Sequence, residues 1–563
     1  MSLPELVAFS IKDREQEVRY LSFTGPHRQL RFGIEEGVYS DTVSFTVEEA
    51  GSGLVHLRSC YENKYWVKAS GNEPWLVATA LEKVEDISKA ECTVFRTQFS
   101  PGNVFVNFVH AQSGFNVVVR PAHDAHAYNL CVEHGPPTDF NFIRYSDFAS
   151  VKLPRYIMFL DDYNRFLVTD RHPTFIRLAF GSRSLRDETA GFEIEYAKSG
   201  DVRVKSMWLG GLWGAGQRSG EWRTLLLLDP KPDDPNTLFE VSRSTPAFAQ
   251  YEGVSLRCRG VNLVCVKMPG IDDLGLLANV QPNDLVACLR PWPPTKDGFR
   301  KVNIESFRHP WAYRSSEVYN WLIITNQTAV EEKHLFVEPN IPMSTRTTFR
   351  NTISNFQGPD SLFPLVDLFS GQFPFVATSG ELEFPDKPTS ILSKWGHEHH
   401  TSVNQRYEET IILPPQTRCT IIVHRKNIVY EIPFSYQQMD EFHWGGNVTQ
   451  YLHEGTFRIN QDYNIEHTIE STSVRSEEDV SPLGVESSPG SGIFVYQVPN
   501  EQDKVETDAP DQGSDAQADI GPDGLNQVCH RSPTQFHFLL NIFVLQPFSF
   551  TNIYIKSLYA YDG

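Results

Sequence analysis

Three segments carry residue types that could do chemistry. WGHEHH at 395–400 sets His397, Glu398, His399 and His400 side by side, all of them metal-ligand types. Consecutive histidines do not share one face of a helix, and the segment lies between strand-like stretches, so it reads as a polar loop and no metal site is expected. Gly214-x-Gly216 in GAGQRSG is followed by no helical pattern and lacks the lysine of a phosphate loop, so it reads as a turn. Serine, histidine and aspartate are plentiful, yet no nucleophile-elbow motif occurs. No catalytic constellation is visible, so a protein without enzymatic activity and without cofactor is expected. What remains is a rich aromatic supply, 12% of the chain. An aromatic face can take the C–H patch of a sugar ring while amides or carboxylates fork its hydroxyls. Tyr65 and Trp66 alternate on one strand pattern, which turns one to the core and leaves the other available.

The elements that would position such groups come from a repeat. FTVEEAGSGLVHLRS at 45–59 recurs as FEIEYAKSGDVRVKS at 192–206, an offset of 147. LPELVAFSI at 3–11 recurs as LPRYIMFLD at 153–161, and the 147 offset carries Trp75 onto Trp222. A register kept over that distance means one domain duplicated, at 3–150 and 152–300. Each copy has a three-part rhythm. Tyr20, Tyr65 and Phe115 mark one set and Phe45, Phe95 and Phe142 another, while Phe166, Trp213 and Leu263 echo the first set in copy two. The segments between alternate apolar and polar residues with period two, and three such all-β units closing without an exposed edge describe a β-trefoil.

LVHLRSCYENKYWVKASGNEPWLVATALEK with AECTVF, and DFNFIRYSDFASV at the domain end, resemble the amaranthin-type plant agglutinins. The resemblance spans both copies, closely in the first and divergently in the second. It implies two tandem β-trefoil domains with a preference for Gal/GalNAc-containing glycans. It also implies a pocket lined by an Asn and a Trp three positions apart, which match Asn72 and Trp75 here. Glu73-Pro74 replaces the family's His-Tyr between them, and Tyr65 is a further candidate. In copy two the matching positions are Ser219 and Trp222. Packing inside the trefoil is the alternative for both tryptophans.

From 305 to 475 the strands lengthen and Thr and Ser alternate with apolar residues, as in TSVNQRYEETIILPP and TRCTIIVHRKNIVYEIPFSY. These stretches, with GTFRINQDYNIEH, resemble the C-terminal part of aerolysin-like and natterin-like modules. The resemblance implies an elongated β module that assembles as a homo-oligomer and gives a hairpin to a membrane barrel, because backbone groups in lipid must pair within protein. The candidate hairpin is 363–384, FPLVDLFSGQFPFVATSGELEF, in which Phe363, Phe373, Phe375, Val376 and Phe384 are the apolar markers. A module serving only as a stalk or oligomerisation element is the alternative.

Net charge is −20, which leaves no basic footprint for nucleic acid. Residues 476–530 hold twelve acids against one lysine and read as a disordered acidic linker, followed by an apolar C-terminal segment, 531–563, that matches neither family. No secretory signal and no run of 18 apolar residues is seen, so a cytoplasmic or nucleocytoplasmic protein is expected, its eight scattered cysteines reduced.

Overall fold

The computed structural model describes residues 2–498 apart from short stretches, the longer of which are 145–151, 245–252, 352–365, 474–485 and 488–493. Residues 499–563, which include the C-terminal apolar segment and most of the acidic linker, lie outside the described residues. The described part is all-β, its helical content confined to three-residue 3-10 turns.

The first twelve strands form one sheet that closes on itself. Leu6–Lys12, Phe45–Glu49, Leu54–Ser59, Phe95–Phe99, Phe105–His110 and Phe140–Arg144 each pair with the next, and the last pairs back onto the first. Three hairpins cap this barrel: Val18–Thr24 with Gln29–Gly33, Lys64–Lys68 with Leu76–Ala80, and Asn116–Val119 with Leu130–Glu133. Bridges Arg31–Asn129 and Trp75–Cys131 join the caps to each other. This is a β-trefoil.

The next twelve strands, Tyr156–Leu160 to Arg290–Trp292, repeat the plan. The barrel ring closes through Tyr156–Leu160, Phe192–Tyr196, Val202–Ser206, Phe239–Ser244, Gly253–Cys258 and Arg290–Trp292. Phe45 and Phe192 both open the fourth strand of their trefoil. At the centre of the first core, Trp66 sits among Phe9, Phe45, Phe95 and Phe108; Trp213 does the same among Phe159, Phe192 and Phe239. The residue answering Trp213 is therefore Trp66, not Tyr65. The third member of the Phe45–Phe95 set is Phe140, which opens the twelfth strand and is fully buried, whereas Phe142 is only partly so. Both errors are shifts within one strand, where period-two alternation cannot tell a core position from its neighbours.

Beyond Phe299 the strands are of another scale. Thr417–Glu441 and Asn447–Ser473 have 25 and 27 residues, against a usual 5–6, and span roughly 80–90 Å. They form one hairpin paired from Thr417–Ser473 to Glu441–Asn447, with register shifts at Lys426/Asn427 and Phe434/Tyr436. Phe299–Phe307 and Trp311–Asn326 pair along one side of it, and Glu332–Arg350 joins the other. Glu398–Leu413, largely exposed, pairs with Glu332–Arg350 as an outer strand. The acidic segment is not without structure throughout, which corrects the expectation for 476–530. Phe494–Val498 pairs with the part of Glu332–Arg350 that the long hairpin does not reach. The run FVYQV is a strand former that a charge count over a wide window hides.

The two trefoils meet where the Tyr39 and Tyr196 rings cross at 5.1 Å. The long hairpin's tip rests on the second trefoil, with Phe442 against Tyr156 and Trp444 over Gly191. A Cβ at Gly191 would stand 2.7 Å from the Trp444 ring, so this close approach requires glycine. The first trefoil is fastened through Arg58, 3% exposed. Its guanidinium bonds Glu48 at 2.9 Å and Glu431 of the long hairpin at 3.2 Å, and lies 4.4 Å over the Trp311 ring. Asn63 donates to the Glu431 carbonyl at 2.7 Å, and Trp311 Nε1 donates to the Tyr65 hydroxyl at 2.7 Å.

Arg58→Ala removes the cation that Glu48 and Glu431 share, and we expect about 3 kcal/mol of destabilisation, the low end of the range for a broken buried pair because Glu48 keeps Lys83 and Glu431 keeps some solvent contact. Chemical denaturation followed by tryptophan fluorescence measures it, and a loss under about 1 kcal/mol would deny the pair its structural weight. Glu48 also sets a pH dependence. Burial pushes its carboxyl up, but Arg58 and Lys83 outweigh this and hold it below the ordinary range. A depressed folded value stabilises above the unfolded pKa, about 4.3, and the gain is lost as pH falls through the folded value. Melting temperatures between about pH 6 and 3 should fall less steeply in Glu48→Gln than in the unaltered protein.

Candidate functional site

Trp75 ends the loop before Leu76–Ala80, the second strand of the middle cap hairpin. Its carbonyl accepts from Ala69 at 2.8 Å and it bridges to Cys131, so two cap hairpins fix its backbone. The residue is half-buried and stands outside the hydrophobic core cluster. Its ring lies 4.8 Å from the His126 ring and 5.5 Å from the Arg120 guanidinium. Arg120 in turn holds Glu133 at 2.9 Å and approaches Asp124 at 4.0 Å. The site thus offers a partly exposed aromatic face next to a guanidinium that itself carries two carboxylates. Arg120, Asp124, His126 and Glu133 were missed at the level of sequence. The polar run RPAHDAHAY at 120–128 was the signal, but only trefoil closure carries it from the third hairpin to the second.

The other positions divide. Asn72 and Ser219 lie outside the described residues. Glu73 is exposed beside Trp75. Tyr65 is not available to a sugar, because it is buried and its hydroxyl donates to Glu48 at 3.0 Å while accepting from Trp311. Alternation on an exposed strand would free one of Tyr65 and Trp66. Here the long-stranded module covers the outward face, so both are buried. Trp222 pairs across its hairpin with Gln217 and packs against the second core. The residue that answers Trp75 is its neighbour Arg223, which bridges to Gly275 of the third cap hairpin as Trp75 bridges to Cys131; the 147 offset is one residue short on this strand.

The candidate hairpin does not form two long strands. Phe363 lies outside the described residues. Val366–Gly371 is a short strand parallel to Phe299–Phe307, tied by the buried Arg300–Asp367 pair at 2.7 and 2.9 Å. Phe375–Val376 pairs only with Leu382–Glu383, around a turn at Ala377–Gly380. Pro374 and Pro385 flank these two-residue strands and cannot donate to a ladder. Phe373 and Val376 are buried in the module core, Phe373 at 5.4 Å from Phe349, whereas Phe375 and Phe384 are 43% and 49% exposed. Gln461 and Tyr430 on the long strands donate to the carbonyls of Val376 and Gly380 at 3.0 and 2.9 Å. The segment is thus clasped over the long hairpin.

In WGHEHH the His399 ring bonds Ser393 at 2.7 Å, and His399 and His400 belong to the outer strand Glu398–Leu413. Among the described residues no helix is long and apolar enough to cross a membrane.

Comparison with known proteins gives one sequence family. No curated protein matches the chain. Among solved structures, a mosquitocidal holotoxin is 9% identical with a TM-score of 0.25; the likeness covers 51% of this chain and 34% of that one. A designed three-fold symmetric protein, ThreeFoil, is 10% identical with a TM-score of 0.20, over 24% of this chain and 98% of its own. The sequence match is to the Agglutinin domain model and extends over residues 2–118, a span that takes in Trp75 and ends just before Arg120, so this part of the chain is similar to that family.

Proposed function

We propose that this protein is a lectin whose trefoils bring the long-stranded module to glycan-bearing membranes, where it assembles as a homo-oligomer and opens a β-barrel pore, without catalysis. Gal/GalNAc-type glycans are the proposed ligands and defence of a plant the proposed setting. Carbohydrate binding is supported by the match of residues 2–118 to the Agglutinin domain model. The observation that supports a pore is the pairing of Glu332–Arg350 with Glu398–Leu413, side by side from Glu332–Leu413 to Thr348–Glu398. The chain between them, 351–397, contains the candidate hairpin 363–384. With its described part, 366–397, released from the core, the connection would prolong the ribbon, and it is long enough for two membrane strands of about 9–11 residues each. One subunit contributes only a ribbon, so closing a barrel requires several copies. The stalk reading is favoured by the burial of Phe373 and Val376, which ties the segment to the module core.

Two experiments decide between them. Trp75→Ala should weaken binding on a Gal/GalNAc glycan surface by roughly tenfold, the scale of one stacked aromatic, with little change in melting temperature. A large melting loss, about 3 kcal/mol or more, would make Trp75 a core residue instead. For the pore, Asn303 and Ser370 are register partners on neighbouring strands, and replacing both by cysteine allows a bond that locks Val366–Gly371 to the module. The oxidised variant should bind glycans as before yet release no dye from glycolipid vesicles, and reduction should restore release. Leakage from the locked form, or none from the unaltered protein at any concentration, would leave the stalk reading.

A further inference from the structure

Each trefoil ties the first turn of its barrel to its third cap hairpin with the same device. In the first, Asp13 accepts from Arg19 Nη2 at 2.7 Å, and the Arg19 guanidinium lies 4.1 Å over the Tyr128 ring. In the second, Asp161 accepts from Arg165 Nη2 at 2.8 Å, and Arg165 reaches Asp272 through two bonds of 2.9 and 2.7 Å. Tyr128 and Asp272 both hold left-handed backbone, at φ of 67° and 56°. In the second trefoil the scaffold borders a cavity of about 330 Å³, lined among others by Asp162, Tyr163, Lys267, Asp272, Leu285 and Val286. That volume is at the lower end of the roughly 300–1,000 Å³ of small-ligand pockets.

We infer that this cavity is a second carbohydrate site, taking one ring of a neutral pyranose glycan; the inference rests on the lectin reading above and adds a place remote from Trp75. The cavity wall is built before any ligand arrives. Asp161, its side chain 2% exposed, accepts the backbone N–H of Tyr163 and of Arg165 at 2.9 Å each, and Lys267 Nζ at 2.9 Å. Tyr163 is nonetheless 64% exposed, with Lys267 Nζ 4.1 Å from its ring centroid and Arg165 at 5.6 Å. An aromatic ring fixed from below and open to solvent is what the C–H face of a sugar stacks on. Asp162 and Asp272 stay partly exposed while Lys267 and Arg165 hold them at 2.9 and 2.7 Å. Each carboxylate offers about four lone-pair directions, so a glycan's hydroxyls can donate to oxygens whose positions are already set. Leu285 and Val286, 46% and 45% exposed, add an apolar wall that a sugar ring would cover. Three aspartates against one lysine on the wall and one arginine behind it leave a net negative charge, which disfavours an anionic ligand and leaves a neutral one free to donate its hydroxyls.

The test is a printed array of terminal hexoses and N-acetylhexosamines probed with the full chain and with Tyr163→Ala, Tyr163→Phe, Asp162→Asn and Trp75→Ala. Tyr163→Ala and Asp162→Asn should each weaken one shared subset of signals by roughly tenfold, Tyr163→Phe should keep that subset, and Trp75→Ala should remove a different part of the profile. If the unaltered chain binds glycans and neither substitution in the cavity changes any signal, the second site is refuted and the lectin reading stands. If the unaltered chain binds none of the array, the lectin reading falls and the second site with it. Loss of signal accompanied by a matching drop in melting temperature would assign Tyr163 a structural role and overturn the site.

Discussion

A chain built almost wholly from strands must find a partner for every strand edge, and most of this architecture answers that constraint. An unpaired edge leaves a row of N–H and C=O groups that invite another chain. The two trefoils close six strands into a ring and cap it with hairpins, which removes the edges altogether. Among the described residues the third module is an open sheet whose strands differ widely in length. It covers the upper reach of Glu332–Arg350 with Phe494–Val498 and ends on an exposed, polar strand, Glu398–Leu413. Glu, His, Ser and Thr along that strand keep it in water without sealing its edge.

The trefoils and the module are joined by polar contacts at Arg58 and by aromatic ones at Trp444. A wholly apolar seam would hold at any pH. A buried guanidinium between Glu48 and Glu431, capped by the Trp311 ring, fixes one orientation and loses strength when its carboxylates are protonated. The first trefoil and the module thus share a joint whose strength depends on pH.

Sugar recognition has two addresses in this reading, and they use different parts of one fold. Trp75 sits where the second and third cap hairpins meet, with charges supplied by the loop after Val119. Tyr163 sits in the first turn of the other barrel, braced by Asp161. Duplication explains the pair: the Asp–Arg brace occurs in both trefoils, but its third member is an aromatic in one and a carboxylate in the other. Only the carboxylate version borders the cavity.

The residues themselves carried the all-β class, the duplication and the long polar strands, because period-two alternation and a repeat at a fixed offset are local properties of a chain. They also pointed to Trp75, through a resemblance. The choice between Tyr65 and Trp66 was beyond them, since both alternate on one strand and the face that the module covers is set by residues more than 240 positions away. The fate of 363–384 was likewise tertiary. Its alternation reads as a hairpin, whereas Gln461 and Tyr430 clasp it as two-residue strands over the long hairpin. The His126–Arg120 surroundings of Trp75 exist only because closing the trefoil brings its second and third cap hairpins together, and the Asp161 brace and the cavity beside it only because the same closure brings a first turn to a third hairpin; no spacing along the chain records either meeting.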